Sequence, residues 1–156
     1  MPIKPFLLRG WLPYILIAVF VGILTIVFLF PSPIEFPMDD TYIHFVYAQN
    51  LALHGRLFFN EIGETGVGST SLIWVLLLAG AYKLGIPIYL AAKGLGILSL
   101  VLAGWGLYRL FQVLFKPMHA LLLTLLICGS GHFVWFALSG IETVLFLALS
   151  IAAILL

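Results

Sequence analysis

Charge is scarce in this chain. Charged side chains form 8% of its 156 residues, and seven Lys and Arg against six Asp and Glu leave a net charge of +1. Such a balance produces no long-range field to attract a polyanion, and no segment interleaves basic with aromatic side chains, so nucleic acid is excluded as a partner. Cysteine is almost absent. Cys128 stands alone inside an apolar run, so the chain by itself can build neither an internal disulfide nor a thiolate metal site. No fixed-period repeat is present either, which argues against an inverted-repeat transporter.

What the chain has in excess is apolar surface. Hydrophobic residues make up 63% of it and the mean hydropathy is +1.22, more than a soluble domain of this size can bury. The expectation is an integral membrane protein, an all-α polytopic membrane helix bundle of about four spans, whose external loop carries juxtamembrane helices. The first apolar run, Trp11 to Phe30, matches the roughly twenty residues that cross a hydrocarbon core as a helix. Lys4 and Arg9 precede it and no acid does, which places residues 1–10 in the cytoplasm. Phe28, Leu29 and Phe30 offer no small-residue cleavage site, so the run reads as a retained anchor rather than a signal peptide.

Residues 31–87 differ. They hold Glu35, Asp39, Asp40, Glu61 and Glu64, and Pro31, Pro33 and Pro37 stop the first helix from continuing. This segment is expected to be an extracytoplasmic loop with interfacial helices. Thr41 to His54 carries apolar residues at Tyr42, Phe45, Val46, Ala48, Ala52 and Leu53, an approximate helical face, with Asp39 or Asp40 able to cap its start and Gly55 its end. In "GETGVGSTS", residues 63–71, the hydroxyls of Ser69, Thr70 or Ser71 can cap a helix from Leu72 to Leu84. That helix is too short to span and is expected at the interface. Gly85 and Pro87 separate it from the next run.

Residues 88–156 are expected to form three further spans. Ile88 to Phe115 descends and delivers Arg109 and Lys116 to the cytoplasm, about His119 to Phe136 returns, and a fourth begins at Thr143. "LSGIET", residues 138–143, then lies outside. The fourth run reaches Leu156 without a polar flank, so it is expected to be cut short.

Four pieces of this sequence, "DDTYIHFVYAQNL", "HGRLFFN", "GSTSLIWVLLLAG" and "SGIETVLFLAL", in that order and at these separations, resemble the N-terminal part of membrane-embedded GT-C glycosyltransferases. The likeness is greatest to a bacterial branch that includes terminal arabinofuranosyltransferase-like proteins, and it covers nearly the whole chain from Trp11 onward. It implies the N-terminal portion of an enzyme of the bacterial inner membrane. Such an enzyme moves a sugar from a polyprenyl-phosphate donor to a glycan, lipid or protein acceptor of the cell envelope, on the extracytoplasmic side. The chain alone is then expected to be inactive. Asp39 and Asp40 match the acidic motif of the first external loop, and Glu142 matches a later acidic position. Val46 departs from the pattern, standing where relatives often carry an arginine.

The residues support such chemistry directly. Transfer from a lipid phosphate needs a base to take the proton of the acceptor hydroxyl, and an aspartate within hydrogen-bond reach can do this. A negative side chain is also stabilising near a helix N-terminus. One of Asp39 and Asp40 is expected to be the base, and the other an orienting group, a cap or a ligand for a divalent cation. Glu142, beside two apolar runs, either faces substrate or cation or simply starts a helix at the interface. His44 either binds substrate or is a satisfied interfacial histidine. Ser69, Thr70 and Ser71 can receive a phosphate at a helix start. Lys93 either reaches the same outer interface by snorkelling or, by default, places its charge among headgroups, and His132 is expected to pack within the bundle. The alternatives to a transferase are a non-catalytic membrane fragment or scaffold, and a transporter subunit.

Overall fold

A computed structural model describes residues 10–29, 35–60 and 71–156, and these form seven helices with no strand among them. Helix α1, Leu12–Leu29, contains no charge and many β-branched residues, a poor helix former in water. In a bilayer the choice is different, because every backbone N–H and C=O must be bonded within the segment. Only Pro13, Ile17, Val21 and Thr25 are buried, a strip at strict i+4 spacing. The large apolar side chains between them, such as Ile15, Val19, Ile23 and Ile26, are exposed. A helix apolar all round that buries one narrow stripe is suited to lipid on its other sides.

Helix α2 is Asp39–His54 and α3 is Leu72–Lys83. Gly55, at φ +68°, ends α2 in the left-handed conformation, its N–H bonded to the Leu51 carbonyl at 3.0 Å, the stop that glycine allows. Helix α4, Ile88–Phe111, starts immediately after Pro87 and has 24 residues. At 1.5 Å per residue it is roughly 36 Å long, enough to cross about 30 Å of hydrocarbon. Three further helices follow, α5 (Pro117–Cys128), α6 (Gly131–Leu138) and α7 (Thr143–Leu155).

Among the described residues, two helices, α1 and α4, are long and apolar enough to cross a membrane, and α5 with α6 makes a third if that bent pair is one span. The segment expected as a span from about His119 to Phe136 is bent: α5 and α6 meet at 58°. No proline stands at the break. Ser130 takes an extended conformation (φ −65°, ψ 131°) after Gly129, and such a Gly–Ser pair is a known cause of a kink. The α4 helix also ends at Phe111, and residues 112–115 are turn and bend rather than helix. His132 is exposed on α6, not packed within the bundle as expected.

Helix α4 is the hub, packing against α1, α3, α5, α6 and α7. Trp105 donates its indole N–H to the Tyr14 carbonyl at 3.0 Å, and Gly104 faces Ile17, so α1 runs antiparallel to α4. Gly96 lies against α6, and Gly106 lies against Ile151 of α7. In lipid, helices gain little from excluding water, so close backbone approach through small residues has to supply the attraction. One core joins α1 to α4–α7 around Ile17, Leu100, Ala103 and Val134. A second joins α2, α3 and the start of α4 around Phe45, Ala48, Trp74 and Ala92.

Two glycines on α4 test this packing. A Cβ at Gly96 would overlap the carbonyl oxygen of Ala137, whereas one at Gly94 meets nothing within 4 Å. Gly96→Ala is expected to destabilise by about 1–3 kcal/mol through overpacking, and Gly94→Ala to stabilise by up to ~1 kcal/mol through helix propensity. Thermal unfolding of the two variants in detergent checks the opposed signs. A Gly96→Ala protein as stable as the parent would mean that α4 and α6 do not touch there.

Candidate functional site

The turn between α6 and α7 is where the remote parts of the chain meet. A helix leaves its last carbonyls without intrahelical partners, and the connection here is only residues 139–142. The carbonyls of residues 138, 139 and 140 are each met by a side chain from a different helix. Lys93 of α4 donates to the Leu138 carbonyl at 2.9 Å and also to the Glu35 carbonyl at 3.1 Å. Thr41 of α2 donates its hydroxyl to the Ser139 carbonyl at 2.6 Å, across 98 positions of sequence. Trp74 of α3 donates its indole N–H to the Gly140 carbonyl at 3.0 Å. Ser139 in turn donates its hydroxyl to the Trp135 carbonyl at 2.6 Å.

Gly140 makes this possible. Its φ is +79°, and a Cβ would sit 2.5 Å from Thr41 Cγ2 and 2.7 Å from the Phe36 ring. Only glycine meets both the conformation and the space. The turn brings Glu142 to α2, where its Oε2 lies 3.2 Å from His44 Nε2. His44 is 3% exposed while Glu142 is partly buried, so the acid links a buried imidazole to the surface. Low surrounding polarity strengthens such a pair and raises the cost of losing one member.

The buried face of α2 is therefore Thr41, His44, Phe45, Tyr47 and Ala48. This corrects the apolar face read from sequence, since Tyr42 and Leu53 are exposed. The two polar residues turn inward because the carbonyls and carboxylate of residues 139–142 are there to receive them. Asp39 and Asp40 are not caps. Met38 occupies the N-cap position, and both aspartates are exposed in the first turn of α2, within the positive end of its dipole. Asp40 and His44 are spaced i, i+4, which makes them neighbours on the helix surface.

Ser71 does hold the N-cap position of α3, but its side chain makes no capping hydrogen bond. Ser69 and Thr70, like Glu61 and Glu64, lie outside the described residues. The first turns of α2 and α3 both reach the 138–142 turn, through Thr41 and Trp74, so Asp39, Asp40, His44, Ser71 and Glu142 belong to one end of the molecule. Among the described residues, no three His, Cys, Asp or Glu side chains gather to hold a metal ion. Two adjacent aspartates are fewer protein ligands than a divalent cation takes on its own.

Lys93 was not read correctly from sequence. It is 8% exposed, bonded to two carbonyls and 4.3 Å from the centre of the Phe36 ring, rather than extended into headgroups. Its position inside an apolar run was the available signal, because an ionisable group there needs internal partners. Thr41, Trp74 and Gly140 carried no such signal, since their partners are distant in sequence. With the geometry in view, comparison with known protein families, with curated proteins and with solved structures finds no match to this chain.

Thr41→Val keeps the shape of the side chain and leaves the Ser139 carbonyl without its donor. The expected cost is about 1–3 kcal/mol, the penalty for an orphaned buried polar group, and Thr41→Ser should recover most of it. Thermal unfolding in detergent measures both. Equal stability of the valine variant and the parent would show that the turn is not held by this bond.

Proposed function

We propose that the chain is the N-terminal part of a membrane glycosyltransferase that uses a polyprenyl-phosphate sugar, and that the α2 start and the 138–142 turn form its acidic centre. The bundle is then a four-span one, with α7 as the fourth span and 31–87 as an external loop at the extracytoplasmic face of a bacterial inner membrane. The observation that carries the reading is that Glu142, far along the chain, pairs with His44 on the helix that Asp39 and Asp40 open.

In this reading Asp40 is the general base and Asp39 orients the acceptor. Asp40 takes the proton from the acceptor hydroxyl. The freed oxygen forms a bond to the anomeric carbon as the bond from that carbon to the phosphate oxygen breaks, its electron pair leaving on the lipid phosphate. Asp40 is preferred because it shares a helix face with His44, whereas its neighbour points about 100° away. The His44–Glu142 pair fixes the helix face against the turn and so positions the base. A divalent cation bound at the aspartates would take its remaining ligands from phosphate and water. Ser71, with Ser69 and Thr70, offers hydroxyls and amides to the donor phosphate.

Asp40→Asn is expected to lower transfer by roughly 10²–10⁴, the usual contribution of a general base, with little change in folding. Asp39→Asn should do less, and Glu142→Gln, which loosens the hold on the base, should lower turnover more than it weakens apparent substrate affinity. The measurement is transfer from a polyprenyl-phosphate sugar by the full-length gene product in membranes, with expression checked for each variant. Near-normal turnover in both well-expressed aspartate variants would leave the pair as a solvated helix start and end the catalytic reading.

Topology gives a separate test. Single cysteines at positions 40 and 142, in a background with Cys128 replaced, are expected to react with a membrane-impermeant reagent from the extracytoplasmic side only. Labelling of position 142 from the cytoplasm alone would remove it from the site.

A further inference from the structure

We propose that the pocket beside Lys93 binds the phosphate headgroup of an anionic membrane lipid. The pocket adjoins the acidic centre, sharing Leu138 and Ser139 with its turn, but the inference does not depend on transferase activity. The pocket, about 300 Å³ in volume, is lined by Phe28 and Leu29 of α1, by Phe36 and Lys93, and by Trp135 and Leu138 of α6, with Glu35 and Ser139 also contributing.

The case rests on a charge without a counter-charge. An ammonium has three N–H donors, and Lys93 gives one each to the carbonyls of Glu35 and Leu138. Its further neighbour is the face of Phe36. Carbonyls and a ring orient the cation without neutralising it, and among the described residues no carboxylate lies within ion-pair reach of it. A buried charge left in that state is costly. An anion in the pocket would accept the third N–H and cancel the charge.

Depth and lining select the kind of anion. Lys93 is five residues beyond Ile88, the start of α4, so it sits about 7.5 Å along the helix, close enough to that end for a headgroup phosphate to reach it. Phe28, Leu29, Trp135 and Leu138 give the pocket apolar walls, suited to the glycerol and first methylenes of an acyl chain. A free phosphate makes no use of those walls. Glu35 lines the pocket and is exposed; a carboxylate turned toward it would oppose an anion there and limit affinity.

The test is lipid retention by the full chain, purified from membranes and read by native mass spectrometry against phosphatidylglycerol, phosphatidylcholine and inorganic phosphate. Phosphatidylglycerol should be retained in preference to phosphatidylcholine. Lys93→Met should abolish that preference, a loss of roughly ten- to hundredfold in relative affinity. Because Lys93 also holds the α6–α7 turn, Glu35→Gln is the second variant: it alters only a side chain whose backbone carbonyl does the bonding, and it should raise phosphatidylglycerol retention several-fold. Equal retention of the two lipids, with no effect of Glu35→Gln, would overturn the proposal. Displacement of bound lipid by millimolar inorganic phosphate would assign the pocket to a soluble anion and overturn the lipid reading.

Discussion

The carbonyl groups at the end of α6 need donors, and the structure is organised around supplying them. In water, the last carbonyls of an eight-residue helix would be solvated at little cost. Buried at the end of an apolar bundle, each unpaired carbonyl costs free energy on the scale of a lost hydrogen bond. Lys93, Thr41 and Trp74 satisfy residues 138, 139 and 140 in turn. One short turn thereby fixes α2, α3 and α4 relative to α6 and α7. The same contacts set the direction in which Glu142 leaves the turn, and hence its distance from His44.

This arrangement needs room as much as donors. Glycine at position 96 lets the α6 backbone come against α4, and glycine at 140 lets Thr41 and Phe36 close over the turn. Where lipid surrounds the helices, apolar burial does not by itself choose one packing over another. Small residues and buried hydrogen bonds make that choice. The many exposed apolar side chains of α1 fit the same view, since they contribute to residence in a bilayer and little to the arrangement of the bundle.

The acids have two different surroundings. Asp39 and Asp40 remain in contact with solvent at the positive end of a helix. Glu142 is drawn toward a buried histidine, where it organises its surroundings. Lys93 is held by carbonyls rather than by any of these carboxylates.

Local signals in the sequence determined a good deal. Apolar runs of spanning length gave α1 and α4, Gly55 and the Gly85–Pro87 pair gave the breaks around α2 and α3, and the limits of α3 were legible to within a residue. These depend on hydrogen bonding and backbone conformation over a few neighbouring positions. The kink at Gly129–Ser130 was present in the sequence but hidden inside a continuous apolar pattern. Tertiary structure alone decided which face of α2 is buried, because Thr41 and His44 turn inward only when the 138–142 turn is there to pair with them. It also decided the fate of Lys93, whose partners lie 45 and 58 positions away. A polar side chain in an apolar setting goes to whichever group can satisfy it, and that group's location is a property of the folded chain.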